Sequence, residues 1–143
     1  MSEISIDIYH NPRCSKSRET LDLLRSKGLD PEVIEYLQEP PDEIELRQIL
    51  DLLGISAREL LRKSEAPYKQ LGLQNLSLSE DEIIEAILKF PILMERPIVI
   101  TNGKARIGRP PEAVLEIIWL PRFFSASISI KTLIVVADTT GDM

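Results

Sequence analysis

The feature that most restricts this chain is a strand, a helix and a second strand in close succession near its N-terminal end. Ile4-Ser5-Ile6-Asp7-Ile8 alternates apolar and polar residues, the two-residue period of a half-buried strand. Tyr9-His10-Asn11-Pro12 ends that run, because the prolyl ring cannot join a hydrogen-bonded ladder. From Ser15 a helical pattern begins, with Thr20, Leu21, Leu23 and Leu24 on the buried side. Gly28 is placed to stop it, and Lys27 sits at the negative end of the dipole. Pro31 to Leu37 then reads as a second strand through Val33, Ile34, Tyr36 and Leu37. Short joints on both sides of the helix make this a parallel crossover unit.

The character changes after Pro40-Pro41. Asp42 to Leu53 spaces Ile44, Leu46, Ile49, Leu50 and Leu53 at helical intervals, and Gly54 stops the run. Ser56 and Glu59 form a capping box for a short helix through Arg62, and Ser79 and Glu82 do the same for a helix through Lys89. Further on, Pro97 to Thr101 and Lys104 to Ile107 flank Asn102-Gly103, the pair best suited to a two-residue type I′ turn. Pro110-Pro111 opens a last helix from Glu112 to about Ile118.

This order predicts an α/β, thioredoxin-like fold: a mixed four-stranded sheet with a helical insertion between the βαβ unit and the C-terminal hairpin. The expected domain runs over residues 1–121, with the insertion at about 42–90 and a divergent tail at 122–143. A chain of 143 residues, 43% hydrophobic and 28% charged, buries a core as one ordinary soluble domain. Its net charge of -6 argues against a nucleic-acid partner, since no block of Lys and Arg is available to release counterions. Met1-Ser2-Glu3 opens acidic and leads straight into a strand, so no signal peptide is expected. With a single cysteine and no intrachain disulfide possible, the cytoplasm is the expected compartment.

That cysteine, Cys14, falls between the first strand and the first helix. A helix N-terminus lowers a thiol pKa, because its free N–H groups and positive dipole end favour the thiolate. Arg13, Lys16 and Arg18 flank it and act in the same direction. The same N–H groups can cradle an anion. A lone cysteine is often a small buried hydrophobe, but the polar, basic run from Pro12 to Arg18 suits a nucleophile better. In Cys14-Ser15-Lys16-Ser17 the place of a resolving thiol is held by a hydroxyl, so turnover calls for a thiol from outside the chain. His10 either orients this loop and biases the thiol, or bonds the loop backbone as a strand-end residue. One histidine and one cysteine do not make a zinc site, so no metal is expected.

Two prolines and three arginines complete the candidates. Arg96-Pro97 precedes a strand at the position where thioredoxin-like folds carry a cis-proline facing the cysteine, which would aim Arg96 at the loop. Arg109 precedes Pro110 at the start of the last helix, and Arg62 ends the Ser56 helix.

Taken together, His10-Asn11-Pro12-Arg13-Cys14-Ser15-Lys16-Ser17-Arg18, Leu60-Leu61-Arg62-Lys63, Glu95-Arg96-Pro97-Ile98-Val99 and Arg106-Ile107-Gly108-Arg109-Pro110 resemble the glutaredoxin-dependent arsenate reductase family, ArsC type. The similarity extends from about Ile4 to Ile118 and is nearest a chromosomal ArsC-like subgroup. The resemblance implies that Cys14 is the nucleophile and that Arg62, Arg96 and Arg109 bind the oxyanion. His10, Ser17, Arg18 and Pro97 would support the active-site loop. It further implies no bound cofactor, glutathione as co-substrate, glutaredoxin as partner, and arsenate or a related oxyanion as substrate. The chemistry suits those residue types: a multiply charged oxyanion beside a thiolate needs fixed positive charge, and planar guanidinium forks pair with it bidentately.

Two rivals share the fold. Another glutathione-linked thiol oxidoreductase would keep Cys14 and Pro97 without needing three arginines. A non-enzymatic Spx-like binding protein is the other; some of that type sense oxidation through Cys-x-x-Cys, a switch that Ser17 removes, and the arginine set is better explained by an oxyanion. The run from Phe123 to Val136 has no counterpart in the family; it is too short and too interrupted by Ser and Lys131 to span a membrane, and alternates like a strand.

Overall fold

In the computed structural model, which describes residues 5–118, the first strand, β1, is Ile6–His10 and takes in Tyr9 and His10, which the sequence placed at its end. The tail at 122–143 lies outside the described residues. Helix α1 is Ser15–Ser26 and β2 is Glu32–Glu35, shorter than the stretch read as strand because Gln38 and Glu39 turn back onto the Glu35 carbonyl. Then come α2 (Glu43–Leu53), α3 (Ala57–Leu60), α4 (Ala66–Gln70) and α5 (Glu80–Lys89). A 3₁₀ turn at Pro91–Leu93 leads into β3 (Ile98–Thr101) and β4 (Lys104–Ile107). The chain closes with a 3₁₀ helix, Pro111–Ile117.

The strands lie in the order β2-β1-β3-β4, with β1 parallel to β2 and the β3–β4 hairpin added antiparallel on the other side. This is the mixed four-stranded sheet of an α/β fold. The hairpin turn has Asn102 at φ 55° and Gly103 at φ 71°, both left-handed as a type I′ turn requires. Both predicted capping boxes are formed, Ser56 with Glu59 and Ser79 with Glu82.

Alternation along the strands sorts the core into two sides. Ile6, Ile8 and Val99 face α1 and the closing 3₁₀ helix, meeting Leu21, Leu24, Val114 and Ile117. Tyr9 and Ile98 face the other way, into a larger cluster with Leu46, Ile49, Leu60, Ile83, Ile87 and Met94 from the helical stretch. Several expected core positions differ, among them Leu37, which is exposed, and Leu53, which is half-buried. Ile44 is 71% exposed, because it lies on the face of α2 opposite the buried stripe of Leu46, Ile49 and Leu50. Leu23 is only half-buried.

The closing element was expected as an α-helix and is wound more tightly. Its buried residues are Pro111, Val114 and Ile117. A spacing of three stacks them on one face of a three-residue-per-turn helix, whereas an α-helix would splay them. Among the described residues, no helix is long and apolar enough to cross a membrane.

Candidate active site

Cys14 is the N-cap of α1, with extended backbone (φ -95°, ψ 123°), and is partly exposed. The loop before it is pinned by its own residues. Cys14 N–H donates to the Asn11 carbonyl at 2.9 Å, and Arg13 N–H donates to Asn11 Oδ1 at 3.0 Å. Ser17, one turn into α1 and fully buried, reaches back: its hydroxyl accepts from Asn11 N–H at 3.0 Å and pairs with His10 Nδ1 at 2.7 Å. The His10 ring thus pairs with the Ser17 side chain rather than with the loop backbone. Burial lowers its pKa, with the charges of Arg25 and Arg18 adding to the effect and Glu35 opposing it. A neutral ring with its proton on Nε2 suits that pairing. Arg18 braces the loop from outside, donating to the Pro12 carbonyl at 2.9 Å.

The arginines arrive from three distant segments, each drawn in by backbone hydrogen bonds. Glu95 N–H donates to the Leu60 carbonyl at 2.9 Å and Arg62 N–H to the Leu93 carbonyl at 2.7 Å, which lays the end of α3 beside the approach to β3. Gly108 N–H donates to the Pro97 carbonyl at 2.9 Å, and Arg109 Nε to the Arg96 carbonyl at 2.9 Å. The Arg96–Pro97 and Arg109–Pro110 peptides are both cis. Gly108 occupies a tight place: a Cβ there would stand 2.6 Å from Thr20 Oγ1 and 2.9 Å from Pro97 Cγ.

Arg109 Nη2 donates to Cys14 Sγ at 3.4 Å. Burial alone would raise the Cys14 pKa; the Ser17 N–H, the Arg96 guanidinium, the Arg109 charge and the Lys16 N–H outweigh it and hold the thiol below its ordinary value. No first-turn N–H closes a full capping hydrogen bond onto the sulfur, so those groups act as oriented dipoles. Arg62 belongs to the same constellation without touching the sulfur. It is tied to Glu65 (Nε to Oε2, 3.3 Å) and Glu95 (Nη1 to Oε1, 3.0 Å).

Three contributors were absent from the sequence reading. Glu65 also accepts from Arg96 Nη2 at 3.2 Å, and Glu95 lies 3.4 Å from Arg109 Nε. Glu65 follows Arg62 by three residues and Glu95 directly precedes Arg96, the only signal in the sequence that could have marked them among 23 acidic residues. Tyr36 is fully buried, and its hydroxyl has no hydrogen-bond partner among the described residues. Burial pushes its pKa up to about 12, while the charges of Arg96, Cys14 and Arg62 act on it from the site. Arg96 itself is buried, and its Nε likewise lacks a partner among the described residues. A buried guanidinium nitrogen with no acceptor is costly, and an oxyanion in the site would supply one. Among the described residues, no three of His, Cys, Asp and Glu gather as a metal ion would need.

Comparison with known proteins gives a consistent picture. Residues 9–117 match the model of the ArsC family. The uncharacterized Escherichia coli protein YfgD is 60% identical over 114 residues, covering 79% of this chain and 96% of that protein. An arsenate reductase from Haemophilus influenzae is 52% identical over 116 residues, covering 80% of this chain and 100% of that protein. Among solved structures, the arsenate reductase from Vibrio cholerae superposes with a TM-score of 0.80 at 49% identity, covering 82% of this chain and 100% of that one.

Proposed function

The chain belongs to the ArsC family, and from that premise we propose that it reduces arsenate to arsenite through a Cys14 thiolate. The observation that carries the reading is the convergence of two guanidiniums on the Cys14 sulfur, with Arg62 tied to both through shared carboxylates and a buried Arg96 Nε left for an acceptor. Preorganised positive charge of this kind stabilises the charge that develops on arsenate oxygens as sulfur attacks.

In the proposed cycle the Cys14 thiolate bonds to arsenic(V) and a protonated oxygen departs as water. Glutathione attacks the adduct, and a glutaredoxin thiol takes up the glutathione sulfur as a mixed disulfide. Those two sulfurs are oxidised as arsenic(V) becomes arsenic(III), arsenite leaves, and Cys14 returns as thiolate. The need for outside thiols follows from the chain's having one cysteine, and from Ser17, whose hydroxyl is already engaged with His10. The setting of this chemistry is the reducing cytoplasm, where glutathione is held reduced.

The test is arsenate-dependent NADPH consumption by the purified protein with glutathione, glutathione reductase and glutaredoxin. Wild type should turn over, Cys14→Ser should not, and omission of glutathione should stop turnover. Turnover by Cys14→Ser, or by wild type without any external thiol, would refute the mechanism.

A further inference from the structure

The ion pairs of the site form a closed circuit. Arg109 is 3.4 Å from Glu95, Glu95 is 3.0 Å from Arg62, Arg62 is 3.3 Å from Glu65, and Glu65 is 3.2 Å from Arg96. Both end arginines act on Cys14, Arg109 by direct contact at 3.4 Å. With the thiol ionised, the circuit alternates in sign around its whole length and carries no net charge. One oxygen of each carboxylate bridges two guanidiniums, Glu65 Oε2 between Arg62 and Arg96 and Glu95 Oε1 between Arg62 and Arg109, the kind of contact an oxyanion oxygen can also make.

This explains how three guanidiniums can crowd together when nothing is bound. The Arg96 side chain is only 8% exposed, and a cation so placed needs a counter-charge to fold at all. Glu65 and Glu95 supply it. They also lower the pull of the site on any anion from solution, since the arginine nitrogens they engage are no longer free, and their own charge repels the newcomer.

We propose that Glu65 and Glu95 are specificity-determining counter-anions, which an entering oxyanion must displace from the arginines. They set a deliberately weak hold on simple anions. An anion that offers only what a carboxylate offers gains little by the exchange. One that forms a bond to Cys14 is retained. The proposal rests on the oxyanion reading of the site and adds the carboxylates to it.

The experiment measures how much inorganic phosphate, sulfate or arsenate halves the rate of Cys14 alkylation by iodoacetamide, at constant ionic strength. It needs no turnover. Glu65→Gln and Glu95→Gln keep the shape and remove the charge. Each should tighten anion protection by about threefold to fivefold, and the double variant by about tenfold, as expected for partly screened ion pairs. Calorimetric titration of phosphate into the same proteins gives a second reading that does not depend on thiol reactivity. Weaker binding in the variants would mean the carboxylates position the arginines, and would overturn the proposal, as would unchanged binding beside clear protection of wild type. Absence of anion protection in every protein, wild type included, would instead overturn the oxyanion reading and the proposal with it.

Discussion

Cys14 takes its scaffold from one continuous stretch, His10 to Arg18, held by backbone and hydroxyl hydrogen bonds between near neighbours. Arg62, Arg96 and Arg109 come from three separate segments, and two shared carboxylates link their charged ends, with backbone carbonyls also holding Arg96 and Arg109. The first region is rigid for local reasons and tolerates little change in shape. The second is an arrangement of alternating charges, partly exposed except for the buried Arg96, whose balance can be altered at the exposed members. Nucleophile and anion site are therefore separable by mutation, and the following experiments probe how far.

The largest effect is expected at Arg62, which alone pairs with both carboxylates. Arg62→Ala leaves Glu65 and Glu95 to neutralise Arg96 and Arg109, so anion protection of Cys14 should weaken by about 3 kcal/mol, roughly a hundredfold. Arg62→Lys should recover part of this, because a point charge cannot bridge two carboxylates as a fork does. A loss no greater than that in the exposed control Arg13→Ala would remove Arg62 from the site.

Ser17→Ala tests the local half. It strips a buried hydroxyl from both His10 and Asn11, and urea unfolding should report about 1–3 kcal/mol of lost stability. The fold has its own pH signature here. His10 has a lowered pKa in the folded protein, so its contribution is complete above the ordinary histidine value of about 6.5 and is lost as pH falls through the lowered one. His10→Gln should flatten that acid-side decline; an unchanged slope would assign it to other groups.

The smallest effect joins the two regions. Arg109→Ala removes one of the influences that lower the Cys14 pKa, after the Ser17 N–H and Arg96. The midpoint of alkylation rate against pH should move up toward the ordinary thiol value of about 8.5 without reaching it. The ionised thiol's contribution to stability, present above that ordinary value and lost as pH falls through the lowered one, should shrink with it. A midpoint that stays in place would mean the helix and Arg96 suffice.

The same division governs what the amino-acid sequence reveals. The Asn102-Gly103 turn, both capping boxes and the approach of Cys14 to a helix N-terminus are legible because each depends on residues a few positions apart. The short helix α4 escapes, since no buried residue gives it an apolar period. The closing helix is misread as α because a spacing of three and one of nearly four differ little over two turns. Glu65, Glu95 and Tyr36 are invisible for another reason. Glu65 stands three residues from Arg62, but its link to Arg96 and that of Glu95 to Arg62 are set by tertiary approach, through the Leu60 and Leu93 carbonyls, and no local pattern encodes that.

Gly108 ties this separation to a dimension. The backbone leaving β4 lies so close to Thr20 and Pro97 that a methyl group at 108 would come within 2.6 Å of the threonine hydroxyl. That hydroxyl is bonded to the Lys16 carbonyl at 2.8 Å, in the first turn of the helix that Cys14 begins. The approach of the backbone before Arg109 to the first turn of α1 is thus gauged by hard contact, with the bare α-carbon of a glycine as the spacer. Salt screens charges but does not alter van der Waals radii. That backbone spacing holds at ionic strengths that loosen the ion pairs beside it, so the site's charge can be tuned while its frame stays in place.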